Sequence, residues 1–140
     1  MPNRLIAAAF AAIAVTGVGA CTARPQTQLA STAQVTINGT ETGSHAAKCW
    51  QQDWYRTIAI GGDFAHATVA VDGHAERLTV TSVRIQNLGG FTGTYVKNGD
   101  SDATTSFSGD KYTITGTANG FNVDKPNEAA SATFKIVATC

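Results

Sequence analysis

Charged side chains are scarce in this chain, and neither sign is in excess. Only 14% of the 140 residues are Asp, Glu, Lys or Arg, against roughly 25% in a typical domain. The 10 basic residues balance the 10 acidic ones, whereas a nucleic-acid-binding protein needs a basic face. We therefore predict no nucleic-acid partner.

Recognisable catalytic and metal-binding motifs are also missing. The sequence contains no G-x-S-x-G elbow, no Walker loop, no H-E-x-x-H and no C-x-x-C, which serve common hydrolase, nucleotide and metal chemistry. His66 and His74 flank one predicted strand, which would hold their imidazoles about 26 Å apart. These absences predict a protein that is not an enzyme and has no cofactor and no metal site.

The longest apolar run is too short to cross a membrane. It extends from Leu5 to Val18, whereas a membrane-spanning helix needs about 20 apolar residues. Arg4 precedes the run, and the first acidic residue of the chain is Glu41. This is the pattern of a signal peptide, which we predict over residues 1–20.

The run ends in Val18-Gly19-Ala20-Cys21, which has the form of a lipobox. In such a sequence an aliphatic and two small residues precede a cysteine whose thiol is acylated with diacylglycerol before cleavage. We predict that the mature chain begins at a lipidated Cys21, anchored by palmitate-type chains to the extracytoplasmic face of the cell membrane. Two acyl chains anchor a protein stably, whereas one binds reversibly. The alternative is an ordinary secretory signal cleaved after Ala20, which would leave an exposed free thiol on a secreted protein.

The other two cysteines remain as a pair once Cys21 is assigned to the lipid. Cys49 and Cys140 would lie in a compartment that permits oxidation, so we predict a disulfide between them. It would close a loop of about 90 residues, which corresponds to roughly 4.5 kcal/mol in the chain-entropy model. It would also hold the last residue of the chain against the start of the domain.

Short alternating segments follow a polar stretch that we interpret as a flexible tether over residues 21–33. From residue 34 onward, apolar and polar residues alternate in segments bounded by turn signals such as Asn38-Gly39 and Asn98-Gly99. About seven to nine short strands and no helix-length amphipathic window predict an all-β domain over residues 34–140. We expect a small antiparallel β-sandwich with one disulfide, and a β-barrel as the alternative.

Three segments carry more specific expectations. In residues 77–86 the apolar parity changes, which predicts a β-bulge near Thr81-Ser82 that keeps both apolar pairs buried. Residues 119–130 contain Asn-Gly, a proline and a Glu-Ala-Ala run, and they predict a long connection with one helical turn. The final strand, residues 131–140, is expected to direct Cys140 toward the core.

An aromatic cluster next to the first cysteine of the predicted bridge is the candidate binding surface. It consists of Trp50, Trp54 and Tyr55. Exposed aromatic side chains stack on sugars or anchor protein partners, whereas a tryptophan beside a disulfide also commonly packs into a core. The sequence leaves both alternatives open.

Four blocks of sequence resemble one known family in their order. They are Val35-Thr36-Ile37-Asn38-Gly39, Ile58-Ala59-Ile60-Gly61-Gly62, the run from Tyr112 to Gly120, and the run from Phe134 to the terminal Cys140. Together they resemble the mycobacterial 19-kDa lipoprotein antigen family over nearly all of the mature domain. The resemblance implies an acylated cell-envelope lipoprotein of antigen or adhesin type, with a surface-exposed, non-catalytic domain and a lipid that host receptors recognise. It also implies lipid on Cys21 and a bridge between Cys49 and Cys140.

The sequence departs from that family in its short tether and in the cluster of Trp50, Trp54 and Tyr55. A second interpretation stays open, in which the protein carries or binds envelope lipid or glycolipid. The predicted partners are the membrane, through Cys21, and host receptors or envelope glycolipid.

Overall fold

The computed structural model describes residues 31–140, and this part of the chain is built of strands. The signal peptide and most of the tether, residues 1–30, lie outside the described residues. The strands are β1 (Thr32–Ile37), β2 (Thr40–Gln52), β3 (Tyr55–Gly61), β4 (His66–Asp72), β5 (Thr79–Leu88), β6 (Phe91–Val96), β7 (Ala103–Ser108), β8 (Lys111–Asn122) and β9 (Ala130–Thr139). Within residues 31–140 no helix has the length and apolar character needed to cross a membrane.

The strands form one antiparallel sheet that closes on itself. Their order is β6-β5-β4-β3-β2-β1-β9-β8-β7, and a further pairing joins β6 to β8. Eight strands therefore form a closed barrel, with β7 added beside β8. The predicted all-β antiparallel domain with one disulfide is confirmed, and the closure of the sheet follows the barrel alternative.

The closure depends on the length of β8, which pairs with two different strands along the same edge. Its first half, Lys111 to Gly116, pairs with β7. Its second half, Asn119 to Asn122, pairs with β6. β7 therefore continues the position of β6 around the barrel after an intervening loop, and it is hydrogen-bonded to β8 along only one of its edges.

The strands run between the two ends of the barrel, and each end carries a different set of loops. The chain arrives at Ser31 at one end, which we call the tether end. The β2–β3 turn, the β4–β5 loop, the β7–β8 turn and Cys140 lie at the same end, as the strand registers require. The opposite end, which we call the far end, carries the β1–β2, β3–β4 and β5–β6 turns and the β8–β9 connection.

Alternation along the strands fills the barrel with apolar side chains. In β4 the buried positions are Ala67, Val69 and Val71, and in β9 they are every second residue from Ala132 to Ala138. The interior is aliphatic with a few aromatic rings, and among residues 31–140 no polar residue is buried. An eight-stranded barrel has an interior about wide enough for its own side chains, and these residues occupy it.

Two local features agree with the sequence-based expectations. Asn38 and Gly39 both have positive φ, 50° and 79°, as a tight hairpin turn requires. In the β4–β5 pair, Ala70 is opposite Ser82 and Val71 is opposite Val80, so Thr81 is the extra residue of a bulge. The predicted bulge is confirmed, and it keeps Val80 and Val83 both buried.

Other expectations about the chain need correction. β2 was not predicted, because only Ala47 of its 13 residues is buried and the strand has no alternating apolar pattern. β8 continues to Asn122 and the connection after it contains no helical turn, so the predicted connection over residues 119–130 is too long. β1 begins at Thr32, within the stretch predicted as tether. Cys140 shares the parity of the buried residues of β9 but is itself exposed.

Candidate functional site

The predicted lipidation residue, Cys21, lies outside the described residues, but the structure fixes the point to which its tether leads. The carbonyl oxygen of Ser31 accepts a hydrogen bond from the backbone N–H of Ala47 at 2.8 Å. Two residues later Ala33 is already buried. The path from Cys21 to the domain is therefore 10 residues long and ends beside β2.

The disulfide between Cys49 and Cys140 lies at the tether end. It joins β2 to the residue that follows β9, with a Cα–Cα distance of 5.9 Å and a sequence separation of 91 residues. Cys49 is partly buried and packs against the core. The backbone N–H of Cys140 donates to the carbonyl oxygen of Asp110 at 2.9 Å, so the last residue is held by both a covalent and a hydrogen bond.

Trp50, Trp54 and Tyr55 are all exposed on the β2–β3 hairpin at the tether end. Their exposed fractions are 49%, 59% and 51%. Tyr55 is opposite Gln52, and Trp50 is opposite Thr57, which makes the two aromatic residues diagonal neighbours on the outer face of the pair. The alternative of core packing is not what the structure shows. We call these three residues the aromatic tip.

Local polar contacts hold the tip of the hairpin in shape. Asp53 adopts a left-handed conformation with φ of 54°, and its carbonyl oxygen accepts a hydrogen bond from Nε2 of Gln51 at 3.0 Å. The guanidinium of Arg56 donates to Oε1 of Gln51 at 2.7 Å. The side chain of Gln51 is thus hydrogen-bonded both to the turn and to the strand that follows it.

The neighbouring β4–β5 loop supports Trp54 from the side. The ring of Trp54 meets the ring of His74 edge to face, with centroids 5.1 Å apart. The backbone N–H of Gly73 donates to the carbonyl oxygen of Trp54 at 2.8 Å, and that of His74 donates to Oδ1 of Asp72 at 2.8 Å. Trp54 is therefore positioned by the fold and keeps more than half of its surface free.

A second aromatic pair at the tether end was not predicted from the sequence. Phe107 is 49% exposed, and its ring centroid lies 4.5 Å from that of Tyr112. The guanidinium carbon of Arg56 lies 5.5 Å from the Tyr112 ring centroid, within the range of a cation–π contact. One signal was available, since Phe107 is the single large apolar residue in a strand of Ala, Thr and Ser.

The described residues bring no metal-ligating cluster together. Between residues 31 and 140, no group of three or more His, Cys, Asp or Glu side chains converges as metal ligands would. His66 lies opposite Gly61 at the far end, and His74 follows Asp72 at the tether end. The surface that stands out is therefore aromatic, and it lies beside the disulfide and the start of the domain.

Comparison with known proteins identifies relatives of this chain. The sequence profile of the Mycobacterium 19 kDa lipoprotein antigen matches residues 26–140. A protein of Mycobacterium avium subsp. hominissuis that is named as a lipoprotein is 51% identical over 140 residues, which cover 100% of this chain and 97% of that protein. LppE of Mycobacterium tuberculosis, also named as a lipoprotein, is 33% identical over 141 residues covering 100% of both chains.

A further relative matches over a shorter region. Lipoprotein LpqH of Mycobacterium tuberculosis is 36% identical over 85 residues, which are 59% of this chain and 52% of that protein. The resemblance inferred from the four sequence blocks is confirmed. The chain belongs to the mycobacterial 19-kDa lipoprotein antigen family.

Proposed function

We propose that the protein is an acylated lipoprotein of the cell envelope, held by diacylglyceryl Cys21 on the extracytoplasmic face of the cell membrane. The observation that carries the proposal is the position of the lipobox. The lipobox ends 10 residues before Ser31, where the folded domain begins. The chain also aligns over its whole length with proteins named as lipoproteins. The folded domain is displayed outside the membrane as a non-catalytic module of antigen or adhesin type.

The disulfide supports an extracytoplasmic location. Bridges of this kind form and persist in oxidising compartments and are rare in the cytosol of mesophiles. The Cys49–Cys140 bridge takes up the two cysteines of the folded domain and leaves Cys21 as the thiol available for acylation. The three cysteines of the chain thereby receive two separate roles.

In this proposal host receptors recognise the lipid on Cys21. A diacylglyceryl cysteine carries two acyl chains, which is enough for stable anchoring and offers a ligand of its own. We expect purified wild-type protein to activate a lipopeptide receptor on reporter cells, and we expect Cys21→Ala protein to be inactive. Activity that survives in the Cys21→Ala protein would assign host recognition to the folded domain.

The packing of the interior favours this proposal over a lipid carrier. Ile58, Ile85, Ile114 and Ile136 are 0% exposed, which leaves no water-sized space beside them. A carried acyl chain would have to lie in an open surface groove, such as the one of about 740 Å³ between the start of β5 and β7. Extraction of the purified Cys21→Ala protein with organic solvent tests the carrier alternative, and we expect no bound lipid.

The direct test of the anchor compares Cys21→Ala with Thr22→Ala in the native host. Cells are fed an alkyne-labelled fatty acid, and the protein is then separated between detergent and aqueous phases. Wild-type and Thr22→Ala proteins are expected to carry the label and to enter the detergent phase, because both keep the acylated thiol. Cys21→Ala protein is expected to lose the label, and label on that variant would contradict the proposal.

A further inference from the structure

Large apolar side chains exposed on this domain concentrate at the tether end. Four of the seven described in residues 31–140 are there: Trp50, Trp54, Tyr55 and Phe107. Both tryptophans of the chain belong to the aromatic tip. Tryptophan and tyrosine combine an apolar ring with a polar group, which places them preferentially at boundaries between hydrocarbon and water.

The aromatic tip projects from the end of the barrel at which Ser31 lies. β2 pairs with β1 only as far as Ala46 and then continues with β3 to Gln52. From Ala47, beside Ser31, to Gln52 is five residue steps, which is about 17 Å at the rise of a strand. The hairpin therefore extends beyond the point where the chain enters the barrel.

The length of the tether matches that projection. From Cys21 to Ser31 there are 10 residue steps, which as a flexible coil span roughly 18 Å and fully extended at most about 35 Å. The tether is therefore long enough for a lipid on Cys21 to lie at the level of the aromatic tip without stretching. The far end lies seven residue steps from Ser31 along β1, about 23 Å, so the tether would have to double back along the barrel for the far end to face the same surface.

We propose that the aromatic tip is a membrane-contact surface, with Trp50, Trp54 and Tyr55 inserted at the headgroup level of the bilayer that holds the anchor. The barrel then stands on its tether end and presents the far end outward. This inference rests on the proposed lipidation of Cys21. Acylation supplies the affinity for the membrane, and the aromatic tip sets the orientation of the domain.

The charges around the tip indicate a contact made by the rings and not by electrostatic attraction. Asp53 lies between Trp54 and Gln52 in the turn, and Arg56 follows Tyr55. The adjacent β4–β5 loop contains Glu76 and Arg77. Over the hairpin and this loop three cations balance three anions: Lys48, Arg56 and Arg77 against Asp53, Asp72 and Glu76. Anionic headgroups therefore gain little over neutral ones, and we expect binding of the tip to be insensitive to salt.

Intrinsic fluorescence tests the proposal directly, because both tryptophans are in the aromatic tip. Purified acylated protein is reconstituted into phosphatidylcholine vesicles with bromine at either a shallow or a deep position of the acyl chains. We expect a blue shift of the emission and a loss of intensity, larger with shallow than with deep bromine. Acrylamide, a quencher dissolved in water, should become less effective than it is for protein in detergent.

A control variant places the reporter at the far end. Phe64, in the β3–β4 turn, is 88% exposed, so Trp50→Phe, Trp54→Phe and Phe64→Trp together leave the core unchanged. We expect this variant to be quenched by acrylamide and unaffected by brominated lipid. Quenching of both reporters by bromine would overturn the proposed orientation.

Flotation of the vesicles separates the two proposals. Protein that floats while its tryptophans stay open to acrylamide and unaffected by bromine would overturn the membrane-contact surface and leave the anchor intact. Protein that does not float would overturn the anchor, and the contact surface with it. Tryptophans shielded from acrylamide without bromine quenching would show that protein covers the tip, which also contradicts a lipid contact.

Discussion

Cys49 and Cys140 join β2 and β9 at the place where no strand lies between them. Farther into the barrel β1 separates these two strands, so they are about 10 Å apart, which is two strand spacings. At the bridge their Cα atoms are 5.9 Å apart, because β1 begins only at Thr32. At the tether end, where β1 no longer lies between β2 and β9, the disulfide therefore links these two strands directly. It closes the barrel at the point where the chain enters.

Removal of this bridge is expected to destabilise the domain strongly. Loss of a native disulfide from a small secreted domain costs about 2–5 kcal/mol, and the long loop closed here places the loss in the upper half of that range. We expect Cys49→Ser to lower the urea midpoint accordingly. The double variant Cys49→Ser/Cys140→Ser and reduced wild-type protein should match it. Equal midpoints for oxidised wild type and Cys49→Ser would show that the bridge does not stabilise the fold.

Closure of the barrel between β6 and β8 needs a glycine at position 120. Gly120 lies opposite Gly93, and a Cβ at Gly120 would overlap the carbonyl oxygen of Thr92. Because a backbone atom cannot move aside as a side chain can, we expect Gly120→Ala to lower the free energy of unfolding by about 2–3 kcal/mol. Chemical denaturation measures the change.

The matched control for that substitution is Gly62→Ala in the β3–β4 turn. A Cβ at Gly62 meets no atom within 4 Å, and the backbone N–H that donates to Ala65 is retained. We expect a change within about 0.5 kcal/mol, as for an ordinary surface substitution. Similar losses for Gly120→Ala and Gly62→Ala would contradict a tight approach of β6 and β8.

A buried hydroxyl on β7 offers a stabilising substitution. Among residues 31–140, Oγ1 of Thr105 is buried and finds no hydrogen-bond partner, and an unsatisfied buried polar group costs about 1–3 kcal/mol. We expect Thr105→Val to raise the free energy of unfolding by about 1 kcal/mol, measured by chemical denaturation. The neighbouring Oγ1 of Thr104 is exposed and bonded to Oγ1 of Thr115 at 2.9 Å, so Thr104→Val should have little effect. A loss of stability on Thr105→Val would show that this hydroxyl has a partner.

Strand positions could be predicted where the sequence alternates between apolar and polar residues. A strand was expected between His66 and His74, and β4 is observed at His66–Asp72. The change of parity in residues 77–86 correctly located the bulge at Thr81. The paired cysteines could also be predicted, because only one partner remained for each. In these cases the information is local or comes from counting a rare residue.

The remaining features depend on contacts that sequence periodicity does not record. β2 lies between β1 and β3 and is stabilised by backbone pairing on both sides, so it forms without an alternating apolar pattern. Closure through Gly93 and Gly120 joins backbones from distant parts of the chain. The exposure of Trp50 and Trp54 could not be predicted, because it depends on β2 and β3 continuing beyond the start of β1.

The account depends most on the anchor at Cys21, and intact mass spectrometry of protein purified from its native envelope tests it most directly. We predict a mass of residues 21–140 plus acyl chains, which rises by the mass of two hydrogen atoms on reduction of the Cys49–Cys140 bridge. A bare mass that begins at Cys21 or Thr22 would contradict the account and would make the protein an unanchored secreted domain.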